Sequence, residues 1–171
     1  IDRSRGLGDV YKRQLDVSGV KKGGNIQSIA NNYNLASGKY IATSSSGQGG
    51  KIDITANYVN LERAEVIASG ESMGGKTRIG GEYLGGKLLA STTKHESDGF
   101  INRFGEQNKI KSAKYTAVGV DSEINVSSSD GKGGTAIVWS DEITDFSGII
   151  NANGADSCLL YTSDAADDRV S

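Results

Sequence analysis

Gly70-Glu-Ser-Met-Gly-Gly-Lys76-Thr77 has the spacing of a phosphate loop: a glycine, four residues, then Gly-Lys-Thr. Further on, Ala136-Ile-Val-Trp-Ser-Asp141-Glu142 mimics the apolar strand ending in Asp-Glu that holds magnesium in such enzymes. The physics of phosphate binding asks for more. The loop must run into a helix N-terminus whose free amides cradle the phosphates. Here Arg78-Ile-Gly-Gly-Glu-Tyr-Leu-Gly-Gly86 follows, and four glycines in nine residues do not hold a helix. The Gly-Gly-Lys core also occurs at Gly49-Gly50-Lys51, where no phosphate loop fits. The match is a by-product of a repeat, and no nucleotide site is expected.

The other candidates for chemistry are sparse. His95 is the sole histidine and has no histidine or cysteine partner spaced for zinc, so it reads as a solvated loop residue. Asp141 and Glu142 are adjacent and would face opposite ways on a strand, whereas glycoside cleavage needs two carboxylates converging across a substrate. Asp53, Asp121, Asp130, Asp141 and Asp145 do not occupy equivalent positions of successive repeats, which argues against a polysaccharide-cleaving cluster. Asn125-Val-Ser127 fits a glycosylation sequon, a short pattern that arises readily by chance. Trp139 sits in an apolar strand and reads as a core or corner residue rather than a sugar platform. No catalytic, cofactor or metal residue is assigned, and no cofactor is expected.

What must position these residues is the repeat. Gly23-Gly24, Gly49-Gly50, Gly74-Gly75 and Gly133-Gly134 each precede a strand-like phrase, at intervals of 26, 25 and 59 residues. A fixed period of this size means stacked supersecondary units. Lys51-Ile-Asp-Ile-Thr alternates with strand periodicity, and each repeat holds about three short strands joined by turns rich in Gly, Asn and Ser. We expect an all-β, right-handed parallel β-helix, with the Gly-Gly pairs supplying positive φ at tight corners. The long interval implies an insertion at about 84–119, with Gly85-Gly-Lys-Leu-Leu89 still strand-like and Tyr115-Thr-Ala-Val118 as a return to the stack. The excursion either covers the side of the stack or binds something.

Composition agrees. The chain has 171 residues, 24 glycines, no proline and only 36% hydrophobic residues, too few for an ordinary globular core but enough for rungs that cover one another. Absence of proline suits a backbone that donates hydrogen bonds throughout. Nineteen basic and 21 acidic residues are spread along the sequence, giving no basic run, so nucleic acid is not an expected partner. The apolar runs are too short to span a bilayer as a helix.

The two ends read differently. Asp9-Val-Tyr-Lys-Arg-Gln14 can be encoded by GAT GTG TAT AAG AGA CAG; its reverse complement, shifted by one base, encodes Cys-Leu-Leu-Tyr-Thr-Ser, which is Cys158 to Ser163. The string resembles the transposase end sequence used in preparing sequencing libraries. We therefore expect 1–14 and 158–171 to be adapter-derived, non-native tails around a genuine segment 15–157 of a longer chain, and Cys158 to carry no redox or metal information.

Two stretches carry a family resemblance: Gly74-Gly-Lys-Thr-Arg-Ile-Gly-Gly-Glu-Tyr-Leu-Gly-Gly86, and Ile124 to Gly154 with Gly-Gly-Thr-Ala-Ile-Val-Trp-Ser-Asp141, Thr144-Asp-Phe-Ser-Gly148 and Asn151-Ala-Asn-Gly154. They resemble the filamentous-haemagglutinin-like exoproteins of Gram-negative bacteria, whose pattern has aspartate where this chain has Glu82 and alanine where it has Ser140. The resemblance covers about 74–154, and the repeat extends it to about 23. It implies a segment of a long right-handed β-helix, secreted by a two-partner system through a dedicated outer-membrane transporter and displayed at the cell surface. Such proteins are adhesins or haemagglutinins that meet host-cell or bacterial receptors or glycans. The secretion domain's own motifs are not visible, so the resemblance implies a shaft segment and not an enzyme. Two rival readings stay open: a β-helix polysaccharide lyase or hydrolase, and a glycan-binding module built on the 84–119 insertion.

Overall fold

The computed structural model describes residues 13–86 and 110–155. Eleven strands follow one another: β1 (Gln14–Asp16), β2 (Asn25–Ile29), β3 (Tyr33–Ile41), β4 (Lys51–Thr55), β5 (Tyr58–Ile67), β6 (Lys76–Ile79), β7 (Tyr115–Val118), β8 (Glu123–Asn125), β9 (Thr135–Val138), β10 (Ile143–Phe146) and β11 (Ile149–Asn151). All pairings between them are parallel and link equivalent strands of successive turns. One face of the coil stacks β2-β4-β6-β9, so four turns are present. The long strands β3 and β5 each serve two faces, pairing through their first halves toward β7 and β10 and through their second halves toward β1, β8 and β11. The expected parallel β-solenoid is the observed fold.

The inner surface is built as columns. Ile52 pairs with Ile26, Thr77 pairs with Ala136, and Ile54, Ile79 and Val138 form the next inward column two residues along. Across the coil, Leu61 pairs with Val118, and Val66 with Ile124. These residues are almost wholly buried and form one continuous apolar core. Each rung contributes only a few inward side chains, which is how a chain poor in large apolar residues still closes a core. Every added rung also brings ladder hydrogen bonds of about 0.5–1.5 kcal/mol each, net of water.

The repeat interval jumps where the sequence indicated. Ile79 ends β6, and the next strand of the neighbouring face is β7, whose Tyr115–Val118 returns in register with Tyr58–Leu61. Between them the described part of the excursion leaves through a 3₁₀ turn, Tyr83–Gly86, and comes back along Ile110 to Lys114. Most of the excursion, including His95 and the strand-like Lys87 to Leu89, lies outside the described residues. So do 1–12 and 156–171, which hold nearly all of both expected adapter tails; Gln14, assigned to the first tail, pairs with Lys39 through backbone at the edge of the stack.

The Gly-Gly corners are as periodic as expected, but their cause differs. None of the four pairs has positive φ; among the described glycines that conformation belongs to Gly38, Gly80, Gly85 and Gly86. The corners need glycine because backbones meet there. A Cβ on Gly50 would lie closer than 3.0 Å to the carbonyl oxygen of Gly24 in the preceding rung, and one on Gly75 would meet the carbonyl of Gly50 in the same way. The second glycine of each pair also donates across the corner, Gly50 to Ala42 O and Gly75 to Ala68 O, both at 2.7 Å.

One inward residue breaks the apolar columns. Thr77 is fully buried opposite Ile52 and Ala136, and its hydroxyl has no hydrogen-bond partner. An orphaned buried hydroxyl costs about 1–3 kcal/mol. Thr77→Val keeps the shape and removes the polar atom, so it should stabilise the chain by about 1 kcal/mol. A rise in the urea midpoint at unchanged slope is the expected reading; a lower midpoint would show that the hydroxyl is satisfied.

Candidate functional site

The outward side of β4 and β6 should be solvated on an ordinary solenoid face, and here it is not. Asp53 and Arg78 stack in register on adjacent rungs and are 0% and 1% exposed. The Arg78 guanidinium grips Asp53 with two parallel bonds, Nε to Oδ1 and Nη2 to Oδ2, each 2.7 Å. Its Nη1 donates to Glu82 Oε2, also at 2.7 Å, and Glu82 is likewise buried. The other Glu82 oxygen accepts the Tyr83 amide at 3.0 Å. A planar guanidinium is the side chain suited to such a fork. Burial alone would lower the Arg78 pKa, but the hydrogen bonds and charges of Asp53 and Glu82 outweigh it and hold the group protonated.

Two lysines flank this network. Lys51 Nζ lies 3.5 Å from Asp53 Oδ2 and Lys76 Nζ lies 3.5 Å from Glu82 Oε2. Both are ion pairs, longer than the 2.7–2.9 Å of a strong charge-assisted hydrogen bond, and Lys76 Nζ donates to Glu82 Oε2 across its 3.5 Å. Burial pushes the Lys76 pKa down from its ordinary 10.5, Arg78 and Lys51 push the same way, and Glu82 opposes them.

The two ends of the excursion are bonded to the stack beside this face. Thr55 Oγ1 donates to Lys111 O at 2.6 Å, Ala113 N to Gly80 O at 2.6 Å, and Lys111 Nζ reaches Asn31 O at 2.6 Å. Gly80 and Gly81 let Trp139 sit against the root of the excursion: a Cβ on Gly81 would lie 2.8 Å from Trp139 Cδ1. Trp139 Nε1 donates to Asp141 Oδ1 at 3.1 Å. The two stretches that carry the family resemblance therefore pack on each other. Gly80-Gly81 seats Trp139, Glu82 takes Arg78, and Trp139 is the corner residue expected from the sequence.

The remaining sequence candidates are placed individually. Lys76 and Thr77 open a strand, not a helix, and Gly70 forms an isolated bridge to Ser44 and Ser128, so the phosphate-loop match is indeed part of the repeat. Asp53 is tied up by Arg78; Asp141 and Glu142 are exposed in the bend after β9. Asp121, Asp130 and Asp145 are exposed and occur on separate segments, and no group of metal-ligating side chains is found among the described residues. Asn125 Oδ1 accepts from the Ser127 amide and hydroxyl at 3.0 and 2.7 Å, a local turn that uses the sequon's own side chains. Asp16 with Ser18 repeats the same turn.

The buried ionic network was missed from the sequence, although its signal was there. Asp53 and Arg78 each stand three residues after a Gly-Gly pair, so the period alone superimposes them. No spacing rule reveals that this outward column is covered.

No family model matches the chain, and no curated protein does. Among solved structures the chain is similar to the HMW1 secretion domain from Haemophilus influenzae, with 31% sequence identity and a TM-score of 0.67. The likeness covers 87% of this chain and 36% of that one, so the chain spans little more than a third of the structure it matches. The resemblance to filamentous-haemagglutinin-like exoproteins drawn from the sequence thus has a structural counterpart, and the chain is a parallel β-solenoid similar to the HMW1 secretion domain.

Proposed function

We propose that this solenoid is a shaft segment of a large adhesin exported by a Gram-negative bacterium through a dedicated outer-membrane transporter. It holds receptor- or glycan-binding regions of its parent away from the cell and performs no catalysis itself. The observation that carries this reading is the rung-on-rung register of the whole described chain, kept across the excursion, in a molecule similar to a secretion domain. Stacked parallel rungs make a stiff rod, and a rod that grows from one end suits a chain that folds after crossing a pore. A second reading has a specific observation behind it. Because the matched structure is itself a secretion domain, this segment would instead be part of the region that the transporter recognises.

Deletion of one whole rung separates the two. Removing 51–75 from the parent joins Gly50 to Lys76 and restores the register one turn shorter. For a shaft, secretion and surface binding should persist. Loss of secretion from an otherwise folded protein would favour the transporter-recognition reading. Turnover of an acidic polysaccharide by the chain, abolished in Asp141→Ala, would overturn both in favour of an enzyme.

A further inference from the structure

The Gly-Gly-Lys phrase, discarded as a phosphate loop, has a use that only stacking creates. On each rung the glycine pair is flanked by side chains: Lys22 and Asn25 on the first, Gln48 and Lys51 on the second, with Lys76 following on the third. Gly23, Gly24, Gly49 and Gly50 have no side chains, so the flanking residues form the two walls of an open groove and the glycines form its floor. Lys51 and Lys76 are partners in register, so their stems leave adjacent rungs about 4.8 Å apart.

The groove keeps an excess of positive charge. Arg78, Lys51 and Lys76 bring three cations to the two buried carboxylates Asp53 and Glu82, with Arg78 held at 2.7 Å and the two lysines ion-paired at 3.5 Å, so among the described residues the network as a whole carries one net positive charge. Lys22 is exposed and lies outside that network. Three ammoniums from three consecutive rungs thus line a groove that follows the solenoid axis, although the sequence scatters them over 54 positions.

We propose that this corner binds a linear acidic polysaccharide lying along the solenoid axis, with its carboxylate or sulfate groups on Lys22, Lys51 and Lys76. Charge complementarity names the anion, and the amides of Asn25 and Gln48 suit the hydroxyls of a sugar chain. A side-chain-free floor lets a flat ring approach the backbone. The groove has no aromatic or arginine side chain on which bases could stack, which disfavours single-stranded nucleic acid as its occupant. The inference does not depend on how the parent is exported.

Calorimetric titration of the whole chain at low salt tests it, with polygalacturonate as the carboxylate probe, dextran sulfate as the sulfate probe, and neutral dextran and single-stranded DNA beside them. Binding to at least one acidic polysaccharide is expected, and none to neutral dextran; the tighter of the two acidic probes identifies the anion. Lys22→Gln/Lys51→Gln/Lys76→Gln together should weaken binding about tenfold or more, as loss of a charged contact surface does. Lys22→Glu alone, which leaves the buried network intact, should weaken it about threefold, whereas Lys114→Gln on the returning excursion should not. The proposal fails if the triple variant and Lys22→Glu bind within twofold of the parent chain, if neutral dextran binds as well, or if DNA binds more tightly and is the ligand lost in the variants.

Discussion

Arg78→Ala should lower the unfolding free energy of the chain by about 3–5 kcal/mol, the cost of stranding buried charge. The wild-type guanidinium hydrogen-bonds two carboxylates that water does not reach, Asp53 at 0% and Glu82 at 1% exposure, and supplies one of the three cations that balance them. Without it the cations left beside them among the described residues are Lys51, 3.5 Å from Asp53, and Lys76, 3.5 Å from Glu82. Arg78→Met separates charge from packing. It keeps most of the aliphatic stem but cannot neutralise anything, so it should be nearly as damaging as alanine. Replacing the network whole, Asp53→Leu/Arg78→Met/Glu82→Leu, should recover most of the loss, because buried ion pairs are often matched by apolar residues of similar volume. Urea unfolding of the four proteins checks this. An Arg78→Met variant within about 1 kcal/mol of wild type would mean that the carboxylates find other partners.

The same variant should act locally before it acts globally. Glu82 stands where the chain leaves the stack, and Ala113, which donates to Gly80 O, stands where it returns. The network therefore ties two adjacent rungs to both roots of the excursion. Amide exchange at Ala113 and Tyr83 should accelerate in Arg78→Ala under conditions where Ile54 and Ile79, in the inner columns, remain protected.

What the sequence made legible follows from what a repeat encodes. Register was readable because Ile52 and Ile54 alternate with Asp53 and Thr55 and because the glycine pairs mark the same corner each time. Tyr115–Val118 was readable as a return to the stack because it follows the polar stretch, and it does pair in register with Tyr58–Leu61. The burial of Asp53 was not. On a bare solenoid an outward aspartate is solvated, and no period in the sequence shows that this one is covered. The lysine groove was hidden for a related reason: Lys22, Lys51 and Lys76 form no basic run, and they converge only when the period is wound into a coil. The glycine corners were located correctly and explained wrongly, because sequence gives the residue and not the reason for it. Glycine serves equally for a left-handed backbone and for a close approach.

Those two reasons predict different mutants, which gives the second large effect. Gly75→Ala should cost about 3 kcal/mol, at the upper end of overpacking, since the obstacles are backbone atoms that cannot rotate aside. The new Cβ would fall within 3.0 Å of Gly50 O, Ala68 O and Gly49 C, which belong to the neighbouring rung and the facing side of the corner. Relief would require lengthening the Gly75 N to Ala68 O bond and the Lys76 N to Gly50 O bond together. Gly119→Ala, at another bend, meets only Leu61 O at 3.1 Å and lacks positive φ, so it should cost well under 1 kcal/mol. Asparagine is the decisive substitution. It tolerates the left-handed region, so Gly75→Asn would be mild if positive φ were what the corner requires. Close approach makes it at least as damaging as alanine. Thermal unfolding of Gly75→Ala, Gly75→Asn and Gly119→Ala orders the three, and a mild Gly75→Asn beside a severe Gly75→Ala would return the corner to the conformational explanation.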